Sequence, residues 1–269
     1  TLAFTLAACS PFAGEGGVPT AGDAGASVDG AAPEGGLDGG RDGASPDAGG
    51  GGPCPADRGP MVRAGAFCID ATEVSVADYR AYLVAKAPNA GDGPGCAGND
   101  PRPSSTGECT GYEMTAEIAD LPIQCVDWCD AWAYCAWAGK RLCGARGGGS
   151  FSFSGTPPDN EWTYACTGGR DQPYPTGSAM PAEACTLEAA APATVGSKTG
   201  CQGGFPGLFD MSGNVREWVD SCDTGTNLCR RLGGAFSNGA DKATCTSSED
   251  DRGKLSNDSR KSGIRCCAD

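Results

Sequence analysis

Residues 127–142 read DWCDAWAYCAWAGKRL. Trp128, Trp132, Cys135 and Ala136 recur at helical spacing, which predicts a helix over Cys129–Ala138. Gly139 follows where a left-handed residue can end it. Upstream, Ser75 precedes Val76–Lys86, where Tyr79, Tyr82 and Leu83 share a face and Pro88 closes the run, a second helix. Downstream of residue 140 the chain is dense in Gly, Ser, Thr, Asn and Asp. Only short pieces there read as regular: a helix at Glu161–Cys166 and strands at Arg216–Val219, Arg231–Leu232, Ala235–Phe236 and Gly263–Cys266. A core this irregular needs covalent staples, and cysteines are abundant.

The chain has 269 residues, with 17 Cys, 44 Gly, 19 Pro, no His and a net charge of −14. The absence of histidine excludes Ser-His-Asp hydrolysis, His-ligated zinc, His-ligated haem and the two-His-one-carboxylate iron site. The acidic balance argues against nucleic acid, which demands clustered Lys and Arg. So many cysteines point to an oxidising compartment.

The opening TLAFTLAAC resembles a bacterial lipoprotein signal whose lipobox ends at Cys9, too short to span a bilayer. The resemblance implies lipidation of Cys9 and anchoring in the cell envelope, with Ser10 pointing to the outer membrane or cell surface. Setting Cys9 aside leaves sixteen cysteines, an even number. Residues 10–53 hold 15 Gly, 8 Ala, 5 Pro and seven acidic residues against Arg41, and read as a disordered linker. As a coil it would span roughly 35–40 Å. Residues 54–269 carry the other sixteen cysteines and all five Trp, and read as one domain.

Six motifs fall in a telling order: FCIDATEVSVADYRAYL from Phe67, the stretch at 127–142, EWTYACTGG from Glu161, GLFDMSGNVREWV from Gly207, RRLGGAF from Arg230 and GIRCC from Gly263. Together they resemble the sulfatase-modifying-factor domain, the family of the formylglycine-generating enzyme. The resemblance implies an α+β, C-type-lectin-like fold with sparse regular structure. It further implies an oxidase that converts a cysteine of an extended Cys-X-Pro-X-Arg peptide to formylglycine, with copper(I) held between two thiolates. The family places those cysteines five apart in a stretch matching GGAFSNGADKA, where this chain has Asn238 and Ala243. Ala235 stands for the active-site Ser, and Arg216 for the usual Trp. Copper is therefore not expected.

The same resemblance implies disulfides Cys135–Cys266 and Cys166–Cys245. Sequence proximity alone suggests Cys54–Cys68, Cys96–Cys109, Cys185–Cys201 and Cys222–Cys229, leaving Cys125, Cys129, Cys143 and Cys267 with three connectivities. The resemblance also implies calcium at Asp210, Gly213, Val215 and Glu217, where carboxylates at both ends of a tight turn and two carbonyls suit a hard cation. The competing arrangement has Asp210 capping its own turn and Glu217 paired with an arginine such as Arg265.

The expected function is thus a lipid-anchored, monomeric binding module for an extended peptide or exported protein, with a groove lined by Arg216, Phe236, Ser237 and Asn238. The alternative is an oxidase or modifying enzyme using another residue, such as Glu217 or Asp241. Arg252, Lys254, Arg260, Lys261 and Arg265 read as solvated surface charge.

Overall fold

The computed structural model describes residues 52–85, 93–248, 252–256 and 259–269. The expected lipidation at Cys9, nearly all of the expected linker, and Pro88 lie outside those residues. Among the described residues no helix is long and apolar enough to cross a membrane.

Three short helices form where capping groups stand before apolar runs. Helix α1 (Val76–Val84) starts at Ser75, whose hydroxyl accepts from the Asp78 N–H while the Asp78 carboxylate accepts from the Ser75 N–H. Helix α2 (Trp128–Trp137) repeats this capping box with Asp127 and Asp130. Such caps contribute about 1 kcal/mol each. Helix α3 (Glu161–Thr167) is capped by Asn160 and ends at Gly168 in the left-handed region. Tyr79 and Tyr82 of α1 pack against Tyr134 and Trp137 of α2, and Trp162 fixes α3 in a second apolar cluster with Ile69, Leu208 and Met211.

Among the described residues two four-stranded sheets complete the domain. The first runs β1 (Met61–Ala64), β2 (Phe67–Asp70), β8 (Cys266–Ala268) and β3 (Arg141–Leu142), all antiparallel. The second runs β6 (Arg252–Gly253), β5 (Leu228–Leu232), β4 (Arg216–Cys222) and β7 (Ser262–Gly263), with β4 and β7 parallel. The indole N–H of Trp128 donates to the Val219 carbonyl and that of Trp218 to the Val126 carbonyl. These reciprocal bonds lock the start of α2 to β4 while satisfying both buried donors.

Two expectations change, and one element is new. Gly263–Cys266 is not one strand: Ser262–Gly263 joins the second sheet, Cys266–Ala268 joins the first, and Ile264–Arg265 forms the crossing. Ala235–Phe236 forms no strand, because Gly233 and Gly234 both turn left-handed before it. The Phe236 N–H instead donates to Asn214 and its carbonyl accepts from Ala189. The hairpin of β1 and β2, turning at Gly65, had no counterpart in the sequence reading.

All sixteen cysteines of residues 54–269 lie in eight disulfides. Five expected pairs are present: Cys54–Cys68, Cys135–Cys266, Cys166–Cys245, Cys185–Cys201 and Cys222–Cys229. Cys96 and Cys109 do not pair with each other. Cys96 bonds Cys129 on the first turn of α2, and Cys109 bonds Cys125. The short helical turn at Gly107–Cys109 and the left-handed backbone of Cys125 bring those two together. Cys143–Cys267 completes the set.

Candidate functional site

The segment Asp210–Val215 coils tightly because three of its residues are left-handed: Asp210 (φ 60°), Gly213 (φ 81°) and Asn214 (φ 53°). Asn and Asp tolerate that region; at 213 only glycine fits. A Cβ there would lie 2.3 Å from the Thr186 carbonyl oxygen. The coil delivers Glu217 on β4 into the gap between the sheets, where Arg265 from the 264–265 crossing meets it.

Arg265 is fully buried and its donors are well matched. Nε donates to Glu217 at 2.7 Å and Nη2 to the other Glu217 oxygen at 2.8 Å. Nη1 donates to the Asp70 carbonyl at 2.7 Å, and Nη2 also to that of Phe209 at 2.8 Å. The Trp162 indole N–H donates to Glu217 as well. Arg265 therefore bonds both sheets at their junction; its expected place on the surface is corrected by its position in the crossing.

Glu73, to which the sequence reading gave no role, completes the cluster. Its carboxylate accepts from Asn214 Nδ2 at 2.8 Å and from the Val215 N–H at 3.1 Å, closing the coil from beneath. Burial, then the charges of Asp210 and Glu217, push the Glu73 carboxyl well above its usual range. Burial likewise lifts Asp210 to about 6, opposed by the Gly196 N–H it accepts. Three buried carboxylates share one guanidinium. The local sequence DATEVS, polar on both sides of Glu73, carries no signal of its burial.

Of the four expected calcium ligands, Glu217 adopts the competing arrangement, the ion pair with Arg265. It keeps one Oε1 lone pair beyond its bonds to Arg265 and Trp162, while Asp210 Oδ2 serves the Gly196 N–H.

The 233–245 loop lies directly on this coil. Ser212 Oγ donates to the Ala243 carbonyl at 2.7 Å, and Ala243 is fully buried. A Cβ on Gly234 would lie 2.9 Å from that of Ala243, so the two backbones meet closely. Asn238 closes the loop on Ala235: its Oδ1 accepts from the Ala235 N–H at 2.8 Å, and its own N–H donates to the Ala235 carbonyl at 2.9 Å. The expected groove residues do not share one surface. Arg216 and Phe236 are buried, Ser237 is exposed and Asn238 is half-buried. Exposed Asp241 and Glu188 flank Ser237 and Asn238, Glu188 being tied in by its N–H to the Asn238 carbonyl at 3.0 Å.

A disulfide-stapled α+β domain with two small sheets, sparse helices and functional loops laid on a left-handed coil is the class of protein these features define. Residues 54–269 match the family described as "Sulfatase-modifying factor enzyme 1-like domain", and the chain belongs to that family. Over 117 residues it is 34% identical to the "Inactive C-alpha-formylglycine-generating enzyme 2" of Mus musculus, covering 39% of this chain and 33% of that one. Over 112 residues it is 32% identical to the "Formylglycine-generating enzyme" of Mus musculus, covering 36% and 26%. The match spans a third or less of these relatives' length. Among solved structures, PvdO from Pseudomonas aeruginosa has the same fold, with a TM-score of 0.51 at 21% identity over 76% of this chain and 80% of that one.

Proposed function

We propose that this chain is an exported, lipid-anchored member of the family whose oxidase site has become a binding surface for an extended peptide or an exported protein segment. The observation behind this is local. Asn238 and Ala243 stand where the family resemblance places the copper thiolates, and every cysteine of residues 54–269 is in a disulfide. Soft copper(I) needs thiolate donors, and an amide closing its own turn beside a buried methyl group supplies none. Ser237, Asn238, Asp241 and Glu188 offer polar and acidic contacts, suited to a peptide with a basic residue.

Export is supported by the disulfide content and by the Cys9 lipobox, with the lipid at Cys9 holding a monomer in the envelope through the linker. Calcium is part of the proposal. The fit rests on three buried carboxylates sharing one guanidinium, on the remaining Glu217 lone pair and on the Asp210 carboxylate. With the Gly213 and Val215 carbonyls these would hold the ion, which would neutralise the coil and order it.

The test combines a thiol count with an activity assay. The denatured, unreduced chain is alkylated and weighed, and the native chain is incubated with a Cys-X-Pro-X-Arg peptide, copper(I) and oxygen. The proposal expects no label within residues 54–269, an unmodified peptide, and saturable binding of that peptide. Two labelled domain cysteines, or conversion of the peptide cysteine, would overturn it in favour of the oxidase alternative.

A further inference from the structure

A cleft of about 290 Å³ lies beside α3, away from the carboxylate coil, and nothing above assigns it a role. Thr163 and Thr246 in its lining are tied to the neighbouring Cys166–Cys245 bridge: Thr163 Oγ1 donates to the Cys245 carbonyl at 3.2 Å, and Thr246 follows Cys245, whose N–H donates to Pro173 at 2.7 Å. One wall is the Tyr164 ring and the other is the segment that turns back after α3. Gly168 and Gly169 make that return, both left-handed, and a Cβ on Gly169 would come within 2.8 Å of the Tyr164 ring. The return carries Arg170 to the cleft lined from the other side by Arg146.

These two arginines stand out in a chain of net charge −14. The Arg146 guanidinium stacks over the Tyr164 ring, 3.9 Å from its centre, and its side chain makes no hydrogen bond or ion pair among the described residues. Stacking uses the face of the guanidinium and fixes its plane, leaving the N–H edge for an in-plane acceptor. Arg170 is held by Nε to the Thr167 carbonyl at 3.2 Å and makes no ion pair among the described residues, leaving both terminal nitrogens as donors. Asp171 also lines the cleft and opposes a negative guest.

We infer that this cleft binds the oxyanion group of a small acidic ligand, a carboxylate or a sulfate, held in bidentate fashion by Arg146 and Arg170. Planar forks of N–H donors match such groups in shape and charge, and the volume suits one amino-acid residue or a comparable fragment. The inference is independent of the proposed peptide surface, which is acidic and prefers a basic guest.

The test is calorimetric titration of the full chain with the blocked tripeptide Ac-Ala-Glu-Ala-NH2, its Gln counterpart, and sodium sulfate against sodium chloride of equal ionic strength. The Glu peptide binds saturably, the Gln peptide at least about tenfold more weakly, and sulfate competes. Arg146→Gln and Arg170→Gln each weaken binding about tenfold, and Asp171→Asn tightens it. Saturation by sulfate without the Glu peptide would assign the site to a free oxyanion. Equal binding of the Glu and Gln peptides, unchanged affinity in both arginine variants, or no saturable heat with any probe overturns the inference. Should an arginine variant misfold, the Asp171→Asn response and the Glu-against-Gln contrast decide it.

Discussion

Adjacent cysteines on β8 anchor two separate elements, Cys266 reaching back to α2 and Cys267 to the residue after β3. Each bridge closes a long loop, with separations of 131 and 124 residues, yet the two loops overlap almost completely, so that only a short loop is nested between their ends. With Cys143–Cys267 intact, removing Cys135–Cys266 by alanine at both positions reopens an effective loop of only about nine residues. That costs about 2.6 kcal/mol in the chain-entropy relation, and the reciprocal removal costs about the same. Once both are gone, the connecting path runs through Cys166–Cys245 and is about 52 residues long, so the last bridge is worth about 4 kcal/mol. The quadruple variant should therefore lose about 7 kcal/mol, exceeding the sum of the two pair variants by about 1.5 kcal/mol. Guanidinium unfolding of the unreduced chains, followed by tryptophan fluorescence with m-values compared, measures all three losses. Strict additivity, or a pair variant losing as much as the last bridge, would refute the nesting argument.

Arg265→Met strips the guanidinium from Glu217, Glu73 and Asp210 and should cost about 3–5 kcal/mol at pH 7; a loss below about 1 kcal/mol by denaturant unfolding would show that the pair is not structural. Burial raises Asp127, the cap of α2, to about 6, so the folded state binds more protons than the unfolded state between about pH 4 and 6. Its contribution is thus full below about pH 4 and lost as pH rises through 6, of the order of 3 kcal/mol. Asp127→Asn should flatten that part of the stability profile, and an unchanged slope would contradict the assignment. Calcium at a hundredfold excess over its dissociation constant should stabilise the chelator-treated protein by about 2.7 kcal/mol, a gain that Asp210→Asn reduces. Equal unfolding midpoints with and without calcium would remove the ion from the proposal.

Helices α1 and α2 were legible because their start signals are local. Ser75 stands before Val76, Trp128 and Cys135 recur at helical spacing, and Gly139 takes the left-handed conformation at the end of α2. The family order was legible because its motifs sit on rigid parts of the fold. Arg265 was not. By charge it groups with Lys261 and Arg260, which are partly exposed, and the passage of residues 262–268 from one sheet to the other is what buries it. Nor was the partner of Cys96, since nearness along the chain says little where a helix folds back on a loop. Nor was the burial of two expected groove residues: Arg216 opens β4 and Phe236 is bonded through its N–H to the Asn214 carbonyl, which turns both inward.

The 233–245 loop holds its shape through bonds of its own. Asn238 restrains its turn through two bonds to Ala235, and Ala243 packs where Gly234 leaves room and is tied down by Ser212. The neighbouring Cys166–Cys245 bridge remains in place, so the surface around Ser237 is held by the scaffold and not by an ion at positions 238 and 243. A loop preorganised in this way spends little entropy on meeting a partner, as the proposed binding module requires. The loop is built closely around Asn238 and Ala243, so replacing either should loosen the surface at Ser237 that the proposed partner would meet.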